Sequence, residues 1–142
     1  MRIVYNDTKK DLPVEQLHRL FFEAGWTDSE FNLDDDMMRN FNLPFINSTL
    51  IISAWENDTL IGVVRVLSDK IMRSAIYDLV VLPEYQSKGI GKELVKRCIE
   101  HFPNCEWLVQ TEAHITGYYE KMGFKVYGDV VLTISSKYQR SR

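Results

Sequence analysis

Apolar residues recur along this chain with two different periods, and the switches between the periods mark out its elements. Alternating or continuous β-branched and aromatic runs predict strands at residues 2–5, 49–56, 59–67, 75–82, 106–110 and 130–135. Asn57-Asp58 lies between the second and third runs and predicts a hairpin turn. Helical spacing predicts a helix over 13–24, with Val14, Leu17, Leu20 and Phe21 on one face, Pro13 in the first turn and Gly25 past the end. A second amphipathic helix is expected from residue 29 to about 42, capped by Asp28 or Ser29 and stopped before Pro44. Helices over 89–102 and 114–122 complete the set. The order is β-α-α-β-β-β-α-β-α-β, which makes a mixed α/β domain.

Composition narrows the function classes. A chain of 142 residues is expected to form one domain, with enough apolar surface for a real core. Hydrophobic residues at 45% and charged residues at 26% are those of an ordinary globule. A net charge of −3 argues against a nucleic-acid partner, because phosphate backbones need a basic footprint. The basic end, Lys137-Tyr138-Gln139-Arg140-Ser141-Arg142, is too short to reverse that balance. No apolar run reaches membrane-spanning length and no signal-peptide core is visible, so the cytoplasm is the expected place, with no membrane partner. Cys98, His101 and Cys105 suggest metal ligands at first sight. Pro103 ends a helix between His101 and Cys105, however, and neither a CxxC pair nor a fourth ligand accompanies them. No metal is expected, and both cysteines are expected to be reduced and mostly packed.

The most informative stretch joins a strand to a helix. The run Ile76 to Leu82 stops at Pro83, a turn carries Lys88, Gly89, Gly91 and Lys92, and an amphipathic pattern follows. The first turn of a helix has unpaired N–H groups and the positive end of the dipole, so it suits an anion. Glycine lets the backbone approach that anion closely. A nucleotide P-loop is excluded, since one residue separates the glycines and Glu93 follows Lys92. The dinucleotide fingerprint is excluded too, because Leu94 stands where a third glycine is required. What remains is Gln86-Ser87-Lys88-Gly89-Ile90-Gly91, a Gln-x-x-Gly-x-Gly loop.

This loop resembles the acyl-CoA pyrophosphate loop of the GCN5-related N-acetyltransferase (GNAT) superfamily. Gly117-Tyr118-Tyr119-Glu120-Lys121-Met122-Gly123-Phe124, further along, is similar to the family's closing segment. A narrower likeness is to the small serotonin, or arylalkylamine, N-acetyltransferases of plants and cyanobacteria. It rests on Leu17, Leu20 and Phe21 with Gly25-Trp26, on Leu60 to Arg65, on Ser68-Asp69 and on Ile76 to Val81. The resemblance implies a GNAT fold: a mostly antiparallel mixed sheet with a central splay and helices on both faces. In that family the splay lies between strands corresponding to Tyr77 to Val81 and Trp107 to Gln110, and it takes the pantetheine arm.

The resemblance also implies roles. Gln86, Ser87, Lys88, Gly89, Ile90, Gly91 and Lys92 would hold the pyrophosphate of acetyl-CoA. The backbone at Leu79, Val80 and Val81 would pair with pantetheine as a half-strand, and one N–H would polarise the acetyl carbonyl. Tyr119 matches the family's tyrosine and is the candidate acid for the leaving thiolate, a phenol of pKa about 10 being close to an alkyl thiol; the other reading is a packed aromatic, which is the reading given to Tyr118. Glu112 stands where the arylalkylamine group has an aspartate that helps take the amine's proton, and it is otherwise a glutamate favoured by a helix N-terminus. His114 is the rival base. Trp26, Tyr77 and Asp78 are the expected substrate contacts, with Arg65 the alternative, structural partner of Asp78. Phe22, Phe31, Met37, Met38, Phe41 and Phe45 are expected to be mostly core, with a few lining an acceptor pocket. Asp34-Asp35-Asp36 is expected to be a solvated face, or an attractor for a cationic amine.

Three functions fit these residues. The first is an acetyl-CoA-dependent N-acetyltransferase acting on a small primary amine by direct attack in a ternary complex. The second acetylates protein N-termini or lysines. The third binds acyl-CoA without turnover. A homodimer is expected by analogy with the family.

Overall fold

The computed structural model describes residues 1–26 and 33–139. Strands β1 (Val4–Asn6), β2 (Leu50–Glu56), β3 (Thr59–Ser68), β4 (Arg73–Val81) and β5 (Glu106–Val109) form one sheet in that order. β1 to β4 are antiparallel neighbours, and β4 and β5 run parallel. The helices are α1 (Val14–Glu23), α2 (Asp35–Arg39), α3 (Leu43–Ile46), α4 (Ile90–His101) and α5 (Thr116–Glu120). The result is a mixed α/β architecture with a mostly antiparallel sheet.

The core explains the order. β3 is buried at every position from Leu60 to Val64, as expected of a strand covered on both faces. α1 packs on β3 and β4, and α4 packs on β2, β3 and β4. α1 presents Leu17, Leu20 and Phe21 inward, and Gln16 ties it to the β2–β3 hairpin. The Gln16 amide donates to Asp58 O at 3.0 Å and its carbonyl accepts from Leu60 N at 2.6 Å. The hairpin turns on Asn57, whose φ of +52° is the left-handed conformation that asparagine tolerates.

The feature that positions the site is how β4 meets its neighbours. β4 pairs with β5 only from Arg73 to Ile76. Beyond Ile76 it continues along β3 alone, so the sheet opens between β4 and β5. A bulge falls at the same place: Arg65 faces Asp78 and Val66 faces Ile76, leaving Tyr77 as the extra residue of β4.

Four expectations are corrected. The first strand lies at Val4–Asn6, slightly later than residues 2–5. The second helix, predicted over 29–42, is described only as α2, capped by Asp34, whose side chain accepts from Met37 N at 2.8 Å; Asp28, Ser29 and Phe31 lie outside the described residues. Pro44 does not follow a helix end but sits in the first turn of α3, where its missing N–H costs nothing. The helix predicted over 114–122 divides into a 3₁₀ turn, Ala113–Ile115, and α5.

The last strand is a fifth difference and the largest. Residues 130–135 form neither strand nor helix. Their alternation is that of a strand, but a strand exists only where another strand satisfies its N–H and C=O groups.

Leu94 of α4 is fully buried, and its Cδ1 would stand 3.4 Å from a methyl placed on Gly62 of β3, so helix and sheet meet there at close quarters. Leu94→Ala is expected to lower stability by about 2–5 kcal/mol, read as a lower urea midpoint with an unchanged slope.

Candidate active site

β4 ends at Val81, and Leu82 N donates to Ile61 O at 2.9 Å before a 3₁₀ turn, Pro83–Tyr85. Tyr85 Oη donates to Glu56 and fixes the base of the turn to the hairpin. Gln86 Nε2 reaches back to Val81 O at 3.0 Å, which draws the loop onto the open end of β4. Ser87 and Gly89 then adopt left-handed conformations, φ +63° and +83°. Gly89 is the residue before α4, and no side chain caps that helix. The first-turn N–H groups have no intrahelical partner, and they carry the positive end of the dipole.

Charge and shape agree at this point. Lys88 and Lys92 are exposed beside the turn, the Lys88 ammonium standing 6.0 Å from the Tyr85 ring centroid. Ile90 is buried, so its side chain anchors the helix and only its backbone faces the loop. A Cβ on Gly89 would meet nothing within 4 Å, which leaves the turn open for a ligand. Gly91 differs: a Cβ there would collide with Tyr118 Oη. The hydroxyl of α5 therefore rests against the first turn of α4. Sequence reasoning missed this contact. The two residues lie on separate helices, and no local signal links them.

Tyr119 points away from solvent. It is buried, its ring stands 5.1 Å from Tyr118 and 5.7 Å from Phe124, and burial pushes its pKa up to about 12, with Tyr118 adding to the shift. Burial raises Tyr118 as well. Both phenols are protonated at neutral pH, which is the state a proton donor needs. Glu112 caps the 3₁₀ turn by position without a side-chain cap bond, and its Oε2 lies 3.4 Å from His114 Nε2, both side chains being exposed. The two rival bases are thus neighbours.

Asp78 meets its structural partner. Arg65 Nε donates to its Oδ2 at 2.6 Å, with both side chains largely buried. The guanidinium also lies 5.9 Å from the Phe45 centroid and 5.6 Å from that of Tyr77, which is itself exposed. Leu79 and Val81 are half-buried along the open stretch of β4, and Val80 is buried. The aromatic residues of the first helices are mostly core: Phe41 and Phe45 are buried against Phe21, while Phe22 faces solvent. Trp26 is half-buried, its ring edge-on to Phe21 at 5.7 Å. Among the described residues no group of three His, Cys, Asp or Glu side chains is placed to hold a metal. Cys98 is buried and its thiol is pushed up to about 12, while His101 pairs with Asp7 at 2.9 Å.

Comparison with known proteins agrees with this geometry. The family model described as an acetyltransferase (GNAT) domain matches residues 23–135. An uncharacterized N-acetyltransferase, ycf52, of Pyropia yezoensis is 26% identical over 85% of this chain and 70% of its own length. The chloroplastic GCN5-related N-acetyltransferase 1 of Arabidopsis thaliana is 26% identical over 82% of this chain and 58% of its own. The structure of the PaiA N-acetyltransferase from Thermoplasma acidophilum in complex with coenzyme A superposes with a TM-score of 0.64, covering 98% of this chain and 97% of that one at 20% identity.

The Gly91–Tyr118 contact gives a test by double substitution. Alanine is favoured over glycine inside a helix by about 1 kcal/mol, but here the added methyl meets the hydroxyl. Gly91→Ala is expected to lower the melting temperature of the wild-type chain and to raise it in a Tyr118→Phe background. Equal shifts in both backgrounds would show that Tyr118 does not press on Gly91.

Proposed function

The chain belongs to the GNAT acetyltransferase family and is an N-acetyltransferase, and from that premise we propose that it moves an acetyl group from acetyl-CoA to a primary amine of a small molecule by direct attack in a ternary complex. The observation that carries this reading is the uncapped start of α4, reached through two left-handed residues and set at the open end of β4. That arrangement suits a pyrophosphate followed by an extended arm. We read residues 1–142 as one such domain.

In this reading Gln86 to Lys92 bind the pyrophosphate, mainly through backbone N–H groups, with Lys88 and Lys92 balancing its charge. Ile90 takes part through its backbone alone. The unpaired edge of β4 at Leu79, Val80 and Val81 lines the arm, and one of its N–H groups faces the developing oxyanion. Acetyl-CoA supplies the activated thioester. Glu112 and His114, joined at 3.4 Å, take the proton from the ammonium. Tyr119 Oη gives a proton to the departing sulfur; with its pKa held near 12 it stays protonated across the working range. Trp26 and Tyr77 border the acceptor. Asp78 acts through Arg65, holding the wall of the site. The arylalkylamine preference rests on the sequence likeness and on these two aromatic rings.

Among the described residues no helix is long and apolar enough to cross a membrane. The cytoplasm is kept as a reading of the sequence alone, and the Arabidopsis relative is chloroplastic by name.

The test is a screen of purified protein with acetyl-CoA against amines, amino acids, polyamines and short peptides, read by thiol release. Turnover on small primary amines, serotonin, tryptamine or phenethylamine among them, is expected. Turnover on peptides alone would move the function to protein modification. Tight CoA binding without turnover would make the chain a sensor. Tyr119→Phe is expected to lower kcat about 10²-fold, the usual weight of a general acid, while CoA affinity holds. An unchanged kcat would remove Tyr119 from the chemistry.

A further inference from the structure

The acetyl transfer proposed for this chain assigns nothing to Tyr118, yet its side chain reaches the cofactor end of the molecule. Tyr118 and Tyr119 are consecutive residues of α5, so their side chains leave the helix about 100° apart. Tyr119 takes the buried direction, against Phe124. Tyr118 takes another, its ring edge-on to that of Tyr119 at 5.1 Å and 42% exposed. The ring is thus fixed along one side while its tip stays accessible.

Gly91 shows where that tip lies. A Cβ on Gly91 would collide with Tyr118 Oη, and it would stand 3.6 Å from Cζ of the same ring and 3.9 Å from Val81 Cγ2. The hydroxyl therefore rests between the first turn of α4 and the last residue of β4, where Gln86 Nε2 also closes on Val81 O. Gly91 is the second residue of α4, in the turn whose N–H groups have no intrahelical partner. Glycine weakens a helix relative to alanine; here its missing side chain is what admits the hydroxyl.

The hydroxyl also has a proton to give. Tyr85, in the turn before the loop, donates its own to Glu56. Tyr118 Oη makes no hydrogen bond to any of the described residues. Burial raises its pKa, so it remains a neutral O–H donor at neutral pH. Uncapped N–H groups, Lys88 and Lys92 surround the same turn, and donors gathered in this way match an acceptor of negative charge.

We propose that Tyr118 Oη donates a hydrogen bond to the pyrophosphate of acetyl-CoA, holding the phosphate oxygens from the side of α5 while the N–H groups of Gly91 and Lys92 hold them from the side of α4. This deepens the reading of Gln86 to Lys92 as the pyrophosphate site and rests on it. It also gives α5 two tasks. One residue grips the cofactor's phosphates, and the next, Tyr119, faces its sulfur, so binding of the phosphates fixes the helix that presents the acid.

The test compares the wild-type chain with Tyr118→Phe, which keeps the ring and removes only the hydroxyl. Coenzyme A is titrated calorimetrically into each, and thermal melting confirms that both are folded. Affinity is expected to fall about tenfold or more in the variant, as for loss of a hydrogen bond to a charged group. With coenzyme A saturating, the ³¹P signals of the pyrophosphate are expected to shift between the two chains and that of the 3′-phosphate to stay. Equal affinity would overturn the proposal and leave the pyrophosphate site standing. Weaker binding with unmoved pyrophosphate signals would assign the loss to packing and overturn it as well. Tighter binding to Tyr118→Phe would make the hydroxyl an obstruction, the opposite of a donor. Coenzyme A that does not bind even the wild type would instead overturn the reading of the loop, and the proposal with it.

Discussion

The first turn of α4 sets the electrostatic demand around which this molecule is arranged. Its N–H groups have no partner in the helix and no side chain caps them. They amount to roughly half a positive charge, set at the far end of the open stretch of β4, where Val81 lies beside Gly91. Two lysines add to that field. An anion would answer the demand, and in the reading proposed above an anion with a long flexible arm would also fill the opening in the sheet. The left-handed residues at Ser87 and Gly89 swing the chain from β4 into the helix at that angle.

The opening has its own mechanical cause. The bulge at Tyr77 falls between the paired half of β4 and the open half. Arg65 and Asp78 pair directly beside it, buried, with Ser48 Oγ 3.4 Å from the guanidinium and two aromatic rings flanking it. Removing one partner of such a buried pair costs about 3–5 kcal/mol, so the pair pins the bulge in place. In the reading proposed above, Asp78 serves the site by shaping its wall.

Local chemistry made much of this legible in the sequence. The Gln86–Lys92 turn could be read because glycine, lysine and a change of hydrophobic period all fall within a few residues. The hairpin at Asn57, α1 and the strands of the sheet followed from equally local patterns. Pro44 misled because a proline that ends one helix and one that begins the next look alike in sequence. Tyr118 was read as mere packing because its contact with Gly91 joins two helices far apart in the chain. Phe41, between α2 and α3, and Phe45 of α3 offered a pocket on paper, yet both close on Phe21 in the core. Residues 130–135 carry the alternation of a strand. Periodicity shows which face is apolar and is silent about which edge receives it.

Gly89 allows the most direct test of the central claim, because a Cβ there meets no protein atom within 4 Å, so that a larger side chain, held in a strained φ of +83°, would enter the proposed anion site. The measurement is calorimetric titration of coenzyme A into the wild-type chain and into Gly89→Trp, with far-UV spectra confirming that both are folded. The expected result is clear binding to the wild type and its loss, by at least about two orders of magnitude (about 2.7 kcal/mol), in the variant. Equal affinity in a folded Gly89→Trp would mean that the pyrophosphate lies elsewhere and that α4 does not organise the site.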